Sequence, residues 1–149
     1  MSRALAAAAA ACVLVGLTGL AAAAPPSGHG RCTINGTPGN DVILGTPGPD
    51  VICGLGGDDR LDGMDGNDVL RGGPGNDTIG GGSGRDRLEG GPGADRLQGD
   101  GGGDTVLGGP GNDTIWSWDG FADHIDGGPG RDRAWVDKID RVKNVERFG

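Results

Sequence analysis

Tyrosine is absent from this chain of 149 residues, and its only other aromatics are three Trp and two Phe. Glutamate is nearly absent: 19 of the 21 acidic residues are Asp and 2 are Glu. Histidine and cysteine are scarce, at two and three. So few large side chains exclude a conventional packed core. The shortage of His and Cys argues against zinc, which prefers those ligands. No H-E-x-x-H helix, G-x-S-x-G elbow or P-loop lysine is present, and the two histidines, His29 and His124, lie far apart. The expectation is therefore a protein that is not an enzyme. Basic residues number 13 and the net charge is −8. That balance argues against nucleic acid or an anionic membrane as partner and suits a cation binder.

What the chain has in excess is glycine, 35 residues, together with 9 prolines. This composition means collagen-like, low-complexity or repetitive structure. Collagen needs Gly at every third position, which the sequence does not show. The first residues stand apart. Arg3 precedes an unbroken small and apolar run from Ala4 to Ala23, and Ala21 to Ala24 supply small residues for a signal peptidase. The run is as long as a spanning helix, but it is alanine-rich and no basic flank follows. It reads as a secretory signal peptide, residues 1–23, with cleavage after Ala23. The expected mature protein is extracellular and has no membrane span.

From Gly36, nine consecutive blocks of nine residues run without a gap to Trp116. Each opens with Gly, from Gly36 to Gly108, and each has Gly at position 4, from Gly39 to Gly111. Position 6 is always Asp: Asp41, Asp50, Asp59, Asp68, Asp77, Asp86, Asp95, Asp104 and Asp113. Position 8 is always aliphatic: Ile43, Ile52, Leu61, Leu70, Ile79, Leu88, Leu97, Val106 and Ile115. A tenth block, Ser117 to Asp126, has ten residues, so that its Gly120 and Asp123 are spaced one too far. The eleventh, Gly127 to Trp135, returns to frame with Asp132 but has only Ala134 at position 8.

These blocks resemble the RTX family, the haemolysin-type calcium-binding nonapeptide repeat G-G-x-G-x-D-x-U-x. Gly72 to Gly80 (GGPGNDTIG) matches every fixed position. Position 2 departs from glycine at Thr37, Thr46, Leu55, Met64 and Asp100, where the backbone has less freedom. The resemblance implies an all-β, right-handed parallel β-roll over residues 36–135. Each block would be a Gly-rich turn followed by a three-residue strand, whose middle side chain faces inward. Two blocks would make one coil of 18 residues, and coils would stack at about 4.8 Å. Blocks of equal parity then share an edge, so Asp41, Asp59, Asp77, Asp95 and Asp113 form one column and Asp50, Asp68, Asp86 and Asp104 another. Such columns repel unless a hard cation lies between the carboxylates. Ca²⁺, with six to eight oxygen ligands in forgiving geometry, suits them better than Mg²⁺. The expected metal ligands are these nine residues with Asp123 and Asp132, holding about seven to nine Ca²⁺. A core of single aliphatics in so glycine-rich a chain implies that calcium binding and folding are one event.

Ser27 to Asn35 fits the frame as one preceding block, with Cys32 where Asp would stand, so residues 24–35 are read as an N-terminal cap. Cys32 and Cys53 lie near one edge of the first coils, and in a secreted chain they read as a disulfide. Trp116, Trp118, Phe121 and Trp135 gather near the last coils. The reading is a hydrophobic end cap, which repeat rods need, with a sugar-binding face as its rival. In the tail, residues 136–149, Val136, Ile139, Val142 and Val145 recur every three residues, as in one more irregular coil or a short helix. RTX toxins, proteases and lipases carry a catalytic domain ahead of the repeats, for which this sequence leaves no room. Three roles follow: a calcium-binding roll with structural or interaction duties, a calcium-dependent module binding carbohydrate or a cell-surface protein, and an accessory subunit of an enzyme.

Overall fold

The computed structural model describes residues 30–148. The expected signal peptide, residues 1–23, and the cap residues before Gly30 lie outside them. Fourteen short strands, numbered in chain order, alternate between two parallel sheets. One sheet holds β1 (Ile34–Asn35), β3 (Val51–Cys53), β5 (Val69–Arg71), β7 (Arg87–Glu89), β9 (Thr105–Leu107), β11 (His124–Asp126) and β13 (Arg141–Lys143). The other holds β2 (Val42–Leu44), β4 (Arg60–Asp62), β6 (Thr78–Ser83), β8 (Arg96–Gly101), β10 (Thr114–Ser117), β12 (Arg133–Val136) and β14 (Glu146–Phe148). Every strand pairs only with strands two places away in the chain, as a coil of two blocks requires. No helix occurs among the described residues. The chain is a parallel β-solenoid.

The register follows the nine-residue frame. Val42 faces Arg60, Ile43 faces Leu61 and Leu44 faces Asp62, each pair 18 residues apart. In β2, β3, β4, β5, β7, β9 and β11 the middle side chain is buried and its neighbours are more open, as in Arg60–Leu61–Asp62. The result is one aliphatic ladder per sheet, from Ile43 and Ile52 to Ile115 and Ile125, with Ala134 completing the cluster. Each fully buried Leu or Ile contributes about 1.5–3 kcal/mol.

The tenth block's extra residue is absorbed before β11, where the pairing step lengthens to 19: Thr105 faces His124 and Ile125 regains the core. The tail is the irregular coil, not the helix. β13 pairs with β11 and β14 pairs with β12, where Arg133 faces Glu146, only 13 residues on. Val136 is buried, and Val142 and Val145 pack against the core, while Ile139 is exposed. At the other end Ile34 faces Ile52, and Cys32 is bonded to Cys53 with their Cα atoms 5.9 Å apart.

Candidate metal centre

The turns between strands place the position-6 aspartates along the two edges, and every one of them is buried. Their backbones join the sheet ladders: the Arg60 N–H donates to the Asp41 carbonyl, the Thr78 N–H to that of Asp59, and so on up the rod. Their carboxylates form a second ladder. The Asp41 N–H donates to Asp59 Oδ1, the Asp59 N–H to Asp77 Oδ1 and the Asp77 N–H to Asp95 Oδ1, each at 2.8 Å. Asp95 and Asp113 continue the column to Asp132 Oδ1. The opposite column runs from Asp50 through Asp68, Asp86 and Asp104 to Asp123 Oδ1. Asp123, out of frame in the sequence, is therefore in line in the structure. Asp140 extends this column, accepting from the Asp123 N–H at 3.1 Å.

The second carboxylate oxygen divides the aspartates into two groups. Oδ2 of Asp59, Asp68, Asp77, Asp86, Asp95, Asp104, Asp113 and Asp132 is buried without a hydrogen-bond partner. In the other three it is bonded: Asp41 Oδ2 accepts from the Thr37 N–H and hydroxyl, Asp50 Oδ2 from those of Thr46, and Asp123 Oδ2 from the Ser117 hydroxyl.

Eight bare carboxylate oxygens in a dry edge are costly, because a buried anion must be paired or neutralised. Burial pushes the Asp95 and Asp104 carboxyls up to about 7 and those of Asp77 and Asp113 up to about 6; hydrogen bonds from the preceding coil oppose it and neighbouring carboxylates add to it. The same burial raises Asp59, Asp68 and Asp86. The surroundings of the bare oxygens are also oxygen. A Cβ added to Gly72 would collide with Asp77 Oδ2 and come within 2.7 Å of the Gly90 carbonyl oxygen of the next coil. At Gly127 the corresponding atoms are Asp132 Oδ2 and the Asn144 carbonyl oxygen. Among the described residues no three His, Cys, Asp or Glu side chains converge on one point. Any cation held here must therefore draw on main-chain carbonyls as well as carboxylates, an all-oxygen, anionic donor set that fits Ca²⁺.

The aromatic residues do not cap the rod. Trp118 is 70% exposed and Phe121 55%. Trp116 and Trp135 occupy the outward position of β10 and β12, face each other in register, and stack with ring centroids 5.6 Å apart. Beside them a cleft of about 520 Å³ is lined by Gln98, Asp100, Trp116, Trp118 and Asp119.

Residues 35–70, 54–88, 80–115 and 119–135, more than half of the chain, match the family described as RTX calcium-binding nonapeptide repeat (4 copies). No curated protein and no solved structure matches.

Proposed function

Because the chain belongs to the RTX calcium-binding nonapeptide repeat family, we propose that it is a secreted, non-catalytic roll that folds as its turns take up Ca²⁺. The observation that carries this reading is the set of eight buried, partnerless Oδ2 atoms, stacked in two columns beside main-chain carbonyls. Asp59, Asp77, Asp95, Asp113 and Asp132 would hold ions along one edge, and Asp68, Asp86 and Asp104 along the other. Bound Ca²⁺ supplies the positive charge and the oxygen coordination these carboxylates lack. The chain's own part is to set each carboxylate by the N–H of the preceding coil, so that a site exists only when two coils are stacked. Uptake is then cooperative along the rod. Secretion is supported by the alanine-rich leader and by the Cys32–Cys53 bond. Circular dichroism under calcium titration tests the reading. The expected result is little strand in chelator, a sigmoidal gain with a midpoint of about 10⁻⁴–10⁻³ M, and poor substitution by Mg²⁺. Full strand content in excess chelator would refute folding on binding.

A second reading, glycan binding, is favoured by the cleft beside the stacked tryptophans. Trp116 and Trp118 offer exposed ring faces, and Gln98, Asp100 and Asp119 offer hydrogen-bonding groups for sugar hydroxyls. A polysaccharide pull-down of the calcium-loaded protein, lost in Trp118→Ala, would support it. Equal retention by both proteins, or by neither, would refute it.

A further inference from the structure

The residue at position 2 of each block separates two kinds of rung. In eight blocks it has a left-handed backbone: Leu55 (φ 83°), Met64 (75°), Gly73 (106°), Gly82 (97°), Gly91 (109°), Asp100 (62°), Gly109 (103°) and Gly128 (94°). These are the blocks of the eight aspartates whose Oδ2 has no partner. Thr37, Thr46 and Trp118, at position 2 of the remaining blocks, are not left-handed. Theirs are the blocks of Asp41, Asp50 and Asp123, whose Oδ2 is hydrogen-bonded within the block.

The correspondence has a physical cause. Where the position-2 N–H of a left-handed turn is hydrogen-bonded, it does not reach the block's own carboxylate: those of Gly73, Gly91 and Gly109 donate to the carbonyls of Gly90, Gly108 and Gly127, each at 3.0 Å, and that of Met64 to Asp62 Oδ1 at 3.1 Å. The carboxylate of that block receives nothing from it. Threonine is β-branched and disfavours positive φ. In its turn the N–H points inward: the Thr46 N–H donates to Asp50 Oδ2 at 2.7 Å and its hydroxyl at 2.8 Å. Thr37 does the same to Asp41, at 2.5 and 3.0 Å. The Thr33 hydroxyl reaches Asp50 Oδ1 at 3.3 Å, so both oxygens of Asp50 are engaged. In the tenth block Ser117 stands where the other blocks have their first glycine, and its hydroxyl takes up Asp123 Oδ2.

We propose that Asp41, Asp50 and Asp123 are metal-free rungs, in which hydroxyl and N–H donors replace the cation, and that calcium is confined to the eight rungs with a left-handed position 2. The proposal rests on the calcium-binding reading above and makes it position-specific. At Asp41 and Asp50 two neutral donors to Oδ2 satisfy its lone pairs and remove the main gain of coordinating a cation there, and at Asp123 the Ser117 hydroxyl occupies Oδ2 alone. The metal-free N-terminal rungs adjoin the Cys32–Cys53 bond, so the first coil is held by covalent and hydrogen bonds.

Native mass spectrometry of the full mature chain with Ca²⁺ as the only ligand tests the proposal. Asp50→Asn should leave the number of bound ions per chain unchanged, and Asp68→Asn should lower it by at least one. Thr46→Gly frees the turn to become left-handed and should raise the number by one, whereas Thr46→Ser, which keeps the hydroxyl, should not. Equal losses in Asp50→Asn and Asp68→Asn would overturn the proposal, as would a Thr46→Gly chain that folds in calcium without the additional ion. If Thr46→Gly does not fold, the two Asn variants decide. A wild-type chain that binds no calcium at all would instead overturn the calcium-binding reading itself.

Discussion

Replacing Asp77 by Asn and by Ala separates the two tasks of a column aspartate. Asp77 is 0% exposed; its Oδ1 accepts the Asp59 N–H at 2.8 Å and its Oδ2 is bare. Alanine removes both oxygens and leaves a buried N–H without an acceptor, a cost of about 1–3 kcal/mol with or without metal. Asparagine keeps the accepting oxygen and removes only the charge. Without metal that is a gain. Carboxylates spaced at the strand repeat of about 4.8 Å repel by roughly 1–3 kcal/mol per ionised pair at effective dielectric constants between 20 and 80. Asp77 has such a neighbour on each side, Asp59 and Asp95, although partial protonation near pH 7 reduces the repulsion. With calcium the sign reverses. Losing a charged ligand lowers affinity by on the order of tenfold at that rung, which corresponds to about 1.4 kcal/mol.

Asp77→Asn should therefore raise the strand content of the metal-free chain and shift its calcium midpoint upward, while Asp77→Ala should lower strand content in both states. Circular dichroism in chelator, with sucrose to bring the metal-free roll into range, followed by calcium titration, reads both effects. Asp65→Asn is the control: Asp65 is exposed at position 3 of its block and should change neither quantity. If Asn and Ala behave alike in chelator, or if Asn leaves the calcium midpoint unmoved, the division between ladder oxygen and metal oxygen is wrong.

Acid should act in opposite directions on the two states. The folded carboxyls of Asp95 and Asp104 lie at about 7 and those of Asp77 and Asp113 at about 6, against an ordinary 3.8. Their stabilisation of the metal-free roll is therefore fully present below pH 3.8 and is lost as pH rises through 6 to 7. Strand content in chelator should be greater at pH 4 than at pH 8, and the calcium midpoint should rise as pH falls below 7; a pH-independent midpoint would contradict this. Leu70→Ala, at a fully buried rung of the ladder, should cost about 2–5 kcal/mol in denaturant titrations of the calcium-loaded protein, and Leu44→Ala on the exposed face under about 0.5 kcal/mol. Cys32 and Cys53 should resist alkylation in the native protein without reductant, and stoichiometric labelling of both would show that the bond does not form.

The parallel roll, its register and its aliphatic ladder were legible because they depend on period alone. One inward side chain per three-residue strand makes position 8 the core wherever the frame holds, and Ile43 to Ile115 obey it without exception. The frame was less informative where its length changes. The ten-residue block places Asp123 out of line on paper, yet a 19-residue step returns both Asp123 and Ile125 to their columns, because a surface turn absorbs one residue more easily than a sheet tolerates a slip. The tryptophans misled for a different reason: their position at the end of the repeats suggested a cap. Their place within the block decides instead, since position 9 of β10 and β12 faces outward. The end of the rod is covered by Val136, Val142 and Val145, three of the residues that made the tail ambiguous between coil and helix.

The site shows what a consensus motif hides. Counting the column aspartates treats eleven rungs as equivalent, and in the Oδ1 ladder nine of them are, each accepting the N–H of the aspartate before it, while Asp41 and Asp50 begin the columns. What distinguishes them is a residue four places earlier and its backbone angle, which the consensus records only as a second glycine. Leu55, Met64 and Asp100 break the consensus in sequence but adopt the left-handed turn, so their rungs keep a bare oxygen. Thr37 and Thr46 break it in sequence and in conformation. At Asp41 and Asp50 the departure that matters is therefore not the loss of glycine but the arrival of a β-branched hydroxyl residue, and at Asp123 it is the serine that replaces the first glycine. Threonine can refuse positive φ and offer a donor in the same turn. A repeat protein that needs a cation between most of its coils can in this way end its columns with side chains already present in the chain.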